Sequence, residues 1–193
     1  MSGEASAYHH GDLPAVLVQT AVKMLDADGG VDLSIRAVAR EAGVSSAAPY
    51  RHFPDRPALL SAVAAQGFRE LMSVLAGTQP EPSSREDFSD LAVAYVRFAM
   101  ARPGLFRVMF GEGGQRGSVE RTAATAAVHE YLDAGVRRWL RLEDPRPTTT
   151  GLWAFVHGLA SLYVYENLER AEPAEMDDRV RRTLEATLAI GNG

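Results

Sequence analysis

Residues 35–53, which read IRAVAREAGVSSAAPYRHF, decide the fold. Their first half carries apolar residues at the helical spacing i, i+3, i+4 and i+7, namely Ile35, Val38, Ala39 and Ala42. Ser34 is a good N-cap for this run, and Gly43 after it can take the left-handed conformation that ends a helix. Val44 is expected to point inward and Ser45 to cap a second short helix. The spacing predicts two short helices joined by a tight turn, which is a helix-turn-helix.

The segments on both sides of this stretch are also helical in pattern. A first helix is predicted over residues 13–27, and Asp55 is expected to cap a longer helix with Pro57 in its first turn. The turn-rich joint GTQPEPSS at residues 77–84 separates them from the rest of the chain. Five further helices are predicted over residues 85–101, 103–110, 118–140, 148–169 and 174–190. Since no alternating strand pattern is longer than a few residues, the sequence predicts an all-α fold.

Composition and charge limit the classes of function. The 193 residues carry 20 Lys and Arg against 25 Asp and Glu, a net charge of −5, so a nucleic-acid-binding face requires local clustering of bases. The absence of cysteine excludes disulfides, thiolate metal sites and cysteine nucleophiles. The longest apolar run, residues 151–165, is too short to span a bilayer, and residues 1–7 lack the features of a signal peptide. We therefore expect a cytoplasmic protein without a membrane partner.

The helix-turn-helix and its flanks carry a family resemblance. Residues 35–53, followed by PDRPALLSAV at residues 54–63, resemble the DNA-binding domain of the tetracycline repressor (TetR) family, and YHHGDL at residues 8–13 is similar to the start of many members. The resemblance implies a homodimeric, ligand-responsive and usually repressive transcription factor of about nine helices, with double-stranded operator DNA as partner. It also implies a helix-turn-helix domain over residues 8–56, a connecting helix over 57–77 and an effector-binding and dimerisation domain over 84–193.

The resemblance implies DNA contacts at the start of the recognition helix and just after it. Ser45, Ser46 and Ala47 match positions that face bases or phosphates. Tyr50, His52 and Arg56 match positions that contact backbone phosphates. These six residues, together with Arg36 and Arg51, form the predicted DNA-binding set.

Two members of this set, Arg36 and Arg51, are assigned from the residues themselves and not from the resemblance. Arg36 lies four residues before Arg40 on the outer face of the first short helix, so the pair is placed to flank the DNA backbone. The alternative for this pair is a solvated face that pairs with nearby acids such as Glu41. Because the opening Ser-Ser-Ala-Ala lacks an Arg or Asn reader of bases, specificity is expected from Arg51, backbone fit or DNA shape.

Pro49 departs from the family pattern, which usually has leucine or isoleucine at this position. If Ser45 is the N-cap, Pro49 is the fourth helical residue, where it removes an early hydrogen bond and crowds the Ser45 carbonyl. Two outcomes are open: the recognition helix begins later in the chain, or it bends in its first turn.

The C-terminal half contains WAFVHG at residues 153–158, which resembles a Trp-x-x-x-His-Gly signature of one TetR subgroup. The helix that carries it is apolar almost all round, which predicts burial on more than one side. In the family the last two helices form a four-helix dimer interface. The residues expected to form that interface are Ala154, Gly158, Leu162, Val180, Leu184 and Leu188. The alternative is a monomeric core helix.

An effector cavity is expected among the helices of the C-terminal half, with a small apolar or aromatic ligand. Trp153, His157 and Ser161 share one helical stripe at i, i+4 and i+8. The residues expected to line the cavity are Tyr95, Phe98, Phe106, Met109, Phe110, Trp153 and His157. The alternative is that these aromatic side chains only pack the core.

Two other classes of function are alternatives to a DNA-binding regulator. An all-α enzyme is disfavoured, because His157 and Ser161 have no accompanying carboxylate or oxyanion loop. The histidines show no metal-ligand spacing, and there is no glycine loop for phosphates, so neither a metal nor a cofactor is expected. The third reading, a helical dimerisation protein without specific DNA binding, is favoured by Pro49 and by the acidic balance of the N-terminal residues.

Overall fold

The computed structural model describes residues 12–28, 33–111, 114, 118–169 and 171–189. Within these residues the chain forms eight α-helices, one 3₁₀ helix and no strand, which confirms the all-α prediction. The helices are α1 (Leu13–Asp28), α2 (Ile35–Glu41), the 3₁₀ helix (Ala48–Arg51), α3 (Arg56–Thr78), α4 (Arg85–Ala101), α5 (Pro103–Phe110), α6 (Val119–Leu140), α7 (Arg146–Val164) and α8 (Pro173–Ala189). The expected count of nine α-helices is off by one, because the recognition element is a 3₁₀ turn.

Hydroxyl and carboxylate side chains cap four of these helices. The Ser34 Oγ accepts from the Ala37 amide at 3.1 Å, and the Asp55 Oδ1 accepts from the Ala58 amide at 2.8 Å. Ser84 caps α4 and Ser118 caps α6 in the same way. Such caps satisfy amides that have no partner inside the helix, so they fix where each helix begins.

Helix α3 lies at the centre of the protein and packs against α1, α4, α5 and α6. Its apolar stripe is buried: Leu60, Val63, Ala64, Phe68, Leu71 and Leu75. Among the described helices α3 alone is long and apolar enough to cross a membrane, but 56% of its most apolar window is buried inside the protein. This burial is that of a core helix, and it connects the N-terminal helices to the C-terminal ones.

Helix α7 differs from its prediction at both ends. It begins at Arg146 rather than at residue 148, and it ends at Val164 rather than at residue 169. Glu166 has a φ of 59°, and the amides of Glu166 and Asn167 bond back to the carbonyls of Tyr163 and Leu162 at 3.1 and 2.8 Å. This is the Schellman ending, with a glutamate at the left-handed position that glycine usually holds.

Gly135 of α6 packs closely on the 77–84 joint and on α4. A Cβ at Gly135 would lie 2.8 Å from the Pro82 Cγ, 3.2 Å from the Pro82 carbonyl oxygen and 3.1 Å from the Phe88 Cζ. Gly77 in α3 has no atom within 4 Å of the same position. The absence of a side chain is therefore required at Gly135 but not at Gly77.

Substitution of these two glycines is expected to act in opposite directions. Gly135→Ala should destabilise the protein by about 1–3 kcal/mol, because the added methyl group overpacks a rigid proline. Gly77→Ala should stabilise it by up to about 1 kcal/mol, because alanine favours the helix. Urea unfolding followed by far-ultraviolet circular dichroism measures both, and equal effects of the two substitutions would contradict this packing.

Candidate functional site

The turn of the helix-turn-helix has the geometry that the sequence predicts. Gly43 has a φ of 70°, the only positive φ among the described glycines. The Gly43 amide bonds to the Arg40 carbonyl at 3.1 Å, and the Val44 amide bonds to the Ala39 carbonyl at 3.0 Å. Val44 is half-buried against the core. Gly43 therefore ends α2 in a Schellman motif and turns the chain toward the recognition segment, residues 45–52.

Pro49 decides the shape of the recognition segment. Its side chain is buried, and it lies in the first turn of a four-residue 3₁₀ helix that begins at Ala48. Amides in a first turn have no partner inside the helix, so the missing N–H of proline is tolerated there. Of the two open outcomes, the structure shows the later start. The amides of His52 and Phe53 then both bond to the Pro49 carbonyl, at 2.9 and 2.8 Å.

All eight residues of the predicted DNA-binding set are exposed at the surface: Arg36, Ser45, Ser46, Ala47, Tyr50, Arg51, His52 and Arg56. Arg36, Arg40 and Arg51 form no ion pair within the described part of the chain. The nearby Asp55 carboxylate is engaged as the cap of α3. These three arginines therefore make this face locally cationic despite the net negative charge of the chain.

Arg56 also has a structural role that its sequence position does not indicate. Its Nε donates to the Leu33 carbonyl at 2.9 Å, which joins the start of α3 to the residue before the cap of α2. The predicted stretch at residues 8–11 lies outside the described residues.

Tyr95, Trp153, His157 and Ser161 form a hydrogen-bonded series inside the C-terminal half. The Trp153 Nε1–H donates to the Tyr95 hydroxyl at 3.3 Å, and the Tyr95 oxygen lies 3.0 Å from the His157 Nδ1. On the other side of the ring, the His157 Nε2 lies 3.5 Å from the Ser161 Oγ. Because Tyr95 has one proton to donate, donation to Nδ1 leaves the proton of neutral His157 on Nε2, facing Ser161.

Burial keeps both central members of this series neutral. Loss of hydration raises the pKa of the Tyr95 hydroxyl well above its usual range, although the bond from Trp153 acts in the opposite direction. The same cause lowers the pKa of His157 below its usual 6.5. His157 also stacks on Phe106, with ring centroids 5.3 Å apart, and packs on Phe110. Since Nδ1 faces a phenol rather than a carboxylate, His157 and Ser161 lack the orienting acid of a hydrolase triad.

Two hollows adjoin this series, and Trp153 lines both. The first is an apolar cavity of about 50 Å³ between α3, α4, α6, α7 and α8, lined also by Tyr95. The second is an open cleft of about 610 Å³ between α3, α5, α6 and α7, which we call the α6 cleft. The residues of the α6 cleft are Phe68, Met109, Phe110, Ser118, Arg121, Thr122, Thr125, Ala126, His129 and Trp153.

The predicted cavity residues are distributed unevenly over these hollows. Met109, Phe110 and Trp153 line the α6 cleft, whereas Phe106 and His157 pack behind it. Phe98 lines neither of the two hollows. It lies in a surface groove between α3, α4 and α8 instead.

Sequence reasoning missed the α6 wall of the cleft. Ser118, Thr122, Thr125 and His129 recur at i, i+4, i+7 and i+11, which is a polar stripe on one face of a helix. This signal is present in the sequence, but a polar helical stripe usually faces solvent. Arg121 completes the wall and donates from a terminal guanidinium nitrogen to the Met109 carbonyl at 2.8 Å.

Helix α7 exposes a narrow apolar face. Gly151, Ala154, Gly158, Leu162 and Tyr165 are all exposed, and Leu162 and Tyr165 are 43% and 56% accessible. A Cβ at Gly158 would meet no atom within 4 Å. The predicted interface residues on α7 therefore lie at the surface of the protomer.

The predicted interface residues on α8 are a different case. Val180 and Leu184 are 0% and 3% exposed, so they belong to the protomer's own core and their assignment to a dimer interface is wrong. Leu188 is partly buried against the same core. The single apolar stripe of α8 packs inward, mainly on α4, and its outer face carries charged residues instead.

Comparisons with known proteins agree with this architecture. Residues 17–63 match the family model described as bacterial regulatory proteins, tetR family, and residues 88–187 match the model described as tetracyclin repressor-like, C-terminal domain. The nucleoid occlusion factor SlmA of Marinobacter nauticus is 26% identical over 178 residues, which cover 84% of this chain and 89% of that protein.

Two solved structures extend the comparison. A protein with unknown function from Rhodococcus sp. RHA1 has a TM-score of 0.76 and 34% identity, over 93% of this chain and 97% of its own. A possible TetR family transcriptional regulator from Streptomyces coelicolor A3(2) has a TM-score of 0.63 and 19% identity, over 92% and 98%. The latter identity is low, so that likeness concerns the fold.

The exposed helix-turn-helix, its arginines and these matches define a DNA-binding transcriptional regulator, a class that points away from catalysis. The chain belongs to the tetracycline repressor family. Membership implies double-stranded DNA as a partner and a dimeric state.

The lowered pKa of His157 predicts a loss of stability in acid. The unfolded chain binds a proton at His157 more readily than the native protein does, so the free energy of unfolding should fall as the pH decreases below about 6.5. His157→Gln should reduce this decrease between pH 7.5 and 5.5, measured by urea unfolding. His52→Gln, which removes an exposed histidine, is the control, and an unchanged pH dependence in both variants would contradict the burial argument.

Proposed function

We propose that the protein is a homodimeric repressor, located in the cytoplasm, that a small apolar or aromatic effector releases from a pseudo-palindromic operator. The observation that carries the proposal is the position of α5. This helix lies between the α6 cleft, which its residues Met109 and Phe110 line, and α1 and α3 of the N-terminal half. One short helix thus connects the volume that suits an effector to the DNA-binding face.

The DNA-binding face supports the first step of the proposal. Arg36 and Arg40 on α2 flank the backbone, and the recognition segment enters the major groove with Tyr50 and Arg51 exposed. In the dimer the two recognition segments lie about 34 Å apart, which is one turn of B-form DNA. The small residues Ser45, Ser46 and Ala47 allow a close approach to the bases or to phosphates.

The connection through α5 supports the release step. At its start, the guanidinium of Arg102 donates to both carboxylate oxygens of Asp26 in α1, at 3.0 and 2.7 Å, and also bonds to Glu70 in α3. The hollow between α5 and the N-terminal half is lined by Leu25, Leu33 and Val108. An effector that binds more tightly to a displaced α5 therefore changes the position of α1 and the separation of the half-sites.

A second candidate function is a role in nucleoid occlusion, since SlmA is similar over most of both chains. Chromatin immunoprecipitation separates the two. A repressor occupies one or a few promoters, whereas occlusion of the nucleoid requires sites spread over the chromosome.

Operator binding is the direct test of the proposed function. Fluorescence anisotropy against DNA from upstream of the protein's own gene should show binding that survives scrambled competitor and weakens steeply with salt. Arg36→Ala should reduce the log–log salt slope by about 1.8, because each of two protomers loses one phosphate contact worth about 0.9.

Arg69→Ala is the matched control, because it removes one exposed arginine from α3, 13 residues beyond Arg56 at the start of that helix. It should leave the slope unchanged. Equal salt slopes for the wild type and the Arg36→Ala variant would show that Arg36 does not contact a DNA phosphate. If both upstream DNA and selection from random DNA gave no specific binding, the helical dimerisation protein without specific DNA binding would be the better description.

The α7 face is the proposed dimer contact, with the outer face of α8 beside it. Gly158→Glu should leave the protomer folded, because a Cβ at Gly158 would meet no atom within 4 Å, but should convert the dimer to monomers and weaken operator binding by about tenfold or more. Analytical ultracentrifugation measures the dimer. Gly77→Glu adds the same charge at an equally open glycine of α3 and should remain dimeric. A dimeric Gly158→Glu variant would place the interface elsewhere.

A further inference from the structure

We propose that the α6 cleft binds aromatic monocarboxylic acids, with the carboxylate held by Arg121 and the ring held among Phe68, Phe110 and Trp153. The inference rests on the proposed function in that it names the chemical class of the effector. It begins from the division of the cleft into an apolar part and a polar part. The side chains from α3, α5 and α7 are apolar or aromatic, while α6 contributes hydroxyls, an imidazole and a guanidinium.

The charge in the cleft is unbalanced. Arg121 is half-buried, and within the described residues it forms no ion pair. Among the described residues, none that lines the cleft is acidic. A cation beside apolar walls interacts more strongly with an anion than it would in open water. The missing partner of Arg121 is therefore an anionic group.

Arg121 is also held in place for this role. The bond to the Met109 carbonyl uses one of the five guanidinium N–H groups and fixes the side chain at the junction of α5 and α6. The planar fork of a guanidinium matches the two oxygens of a carboxylate. Arg121 lies in the first turn of a 22-residue helix, whose positive end adds to the attraction for an anion.

The surrounding side chains favour a single negative charge. Thr125 donates its hydroxyl to the Arg121 carbonyl at 2.9 Å, so the hydroxyl proton is not directed at a ligand. One arginine balances a carboxylate, whereas a phosphate with nearly two charges would remain underneutralised beside apolar walls. The chemistry of the cleft therefore fits a monocarboxylate.

The apolar part of the cleft favours a ring over a flexible chain. The Phe110 ring lies 5.3 Å from the Phe68 ring and 6.3 Å from the Trp153 ring, both in edge-to-face orientation. His129 also packs on Trp153, with ring centroids 4.1 Å apart. The planar aromatic ring of a ligand can make the same kind of contact with these side chains. The volume of about 610 Å³ suits a ligand of one or two rings.

The test compares acids with their uncharged isosteres. Phenylacetate, 1-naphthylacetate and indole-3-acetate, each beside its primary amide, are titrated into the full-length protein by isothermal calorimetry. At least one acid should bind more tightly than its amide by a factor of about ten or more, because a charged hydrogen bond replaces a neutral one. Arg121→Gln should reduce this preference to less than about twofold, and Arg121→Lys should restore part of it.

Arg138→Gln is the matched control. Arg138 lies on the same helix and also donates to a backbone carbonyl, that of Pro82 at 3.2 Å, but it does not line the cleft. The preference should survive this substitution. Equal affinities of acid and amide in every pair would overturn the proposal even if the Arg121 variants failed to fold. So would a preference that Arg121→Gln leaves intact, or binding of no compound at millimolar concentration.

Operator release separates this inference from the proposed function. Acids that bind through Arg121 but do not release DNA would support the carboxylate site and contradict a ligand-released repressor. Release by the neutral amides alone, with no preference for the acids, would support the repressor and overturn the carboxylate site.

Discussion

The close approach of α5 to α3 at Gly67 is the contact on which the rest of the structure depends. A Cβ at Gly67 would lie 2.6 Å from the Met109 sulfur and 3.1 Å from the Leu105 Cδ1, so these two side chains of α5 pack directly on the α3 backbone. Leu105 and Met109 are completely buried there. Because α5 has only eight residues, its packing on α3, with further contacts to α1 and α4, fixes its position and thereby places Phe110 in the α6 cleft.

The polar contacts at the start of α5 set the orientation of the helices, whereas the packing on α3 provides stability. Arg102 joins the α4–α5 junction to Asp26 and Glu70, and its side chain is 23% exposed. Ion pairs at such exposure add little to the free energy of unfolding, but the planar guanidinium fixes the direction of the contact. Burial therefore provides the stability of the α3–α5 pair, and Arg102 sets the orientation of α1 relative to both.

Local chemistry explains which parts of the fold the sequence predicts. Caps such as Ser34 and Asp55 act on neighbouring amides, and Gly43 adopts the left-handed conformation, so these boundaries are readable from a few adjacent residues. The end of α7 was not readable, because Glu166 takes the same conformation without being glycine. For the recognition segment, the sequence predicts that Pro49 disturbs the helix, but it does not predict that the segment forms a 3₁₀ helix.

The site is less predictable than the fold, because tertiary packing decides which face of a helix is used. An apolar stripe on α8 is compatible with a core or a partner, and only the position of α4 shows that Val180 and Leu184 face the core. The polar stripe of α6 is ambiguous in another way, because it is compatible with a solvent-facing surface or with the wall of a cleft. It reads as a solvent face until α5 and α7 are seen to form an open cleft beside it.

The two faces of α7 connect the proposed effector site to the proposed dimer. Trp153 and His157 face the aromatic layer behind the cleft, while Ala154 and Gly158, one residue further along in each case, face outward. Small residues on the outer face allow two copies of α7 to approach closely, which leaves little freedom for the helix to move. If the proposed dimer holds α7 at its twofold axis, an effector in the cleft would displace the opposite wall more readily than it would displace Trp153. That opposite wall includes α5, and α5 packs on α1, so the proposed dimer contact would direct the effect of the ligand toward the DNA-binding half.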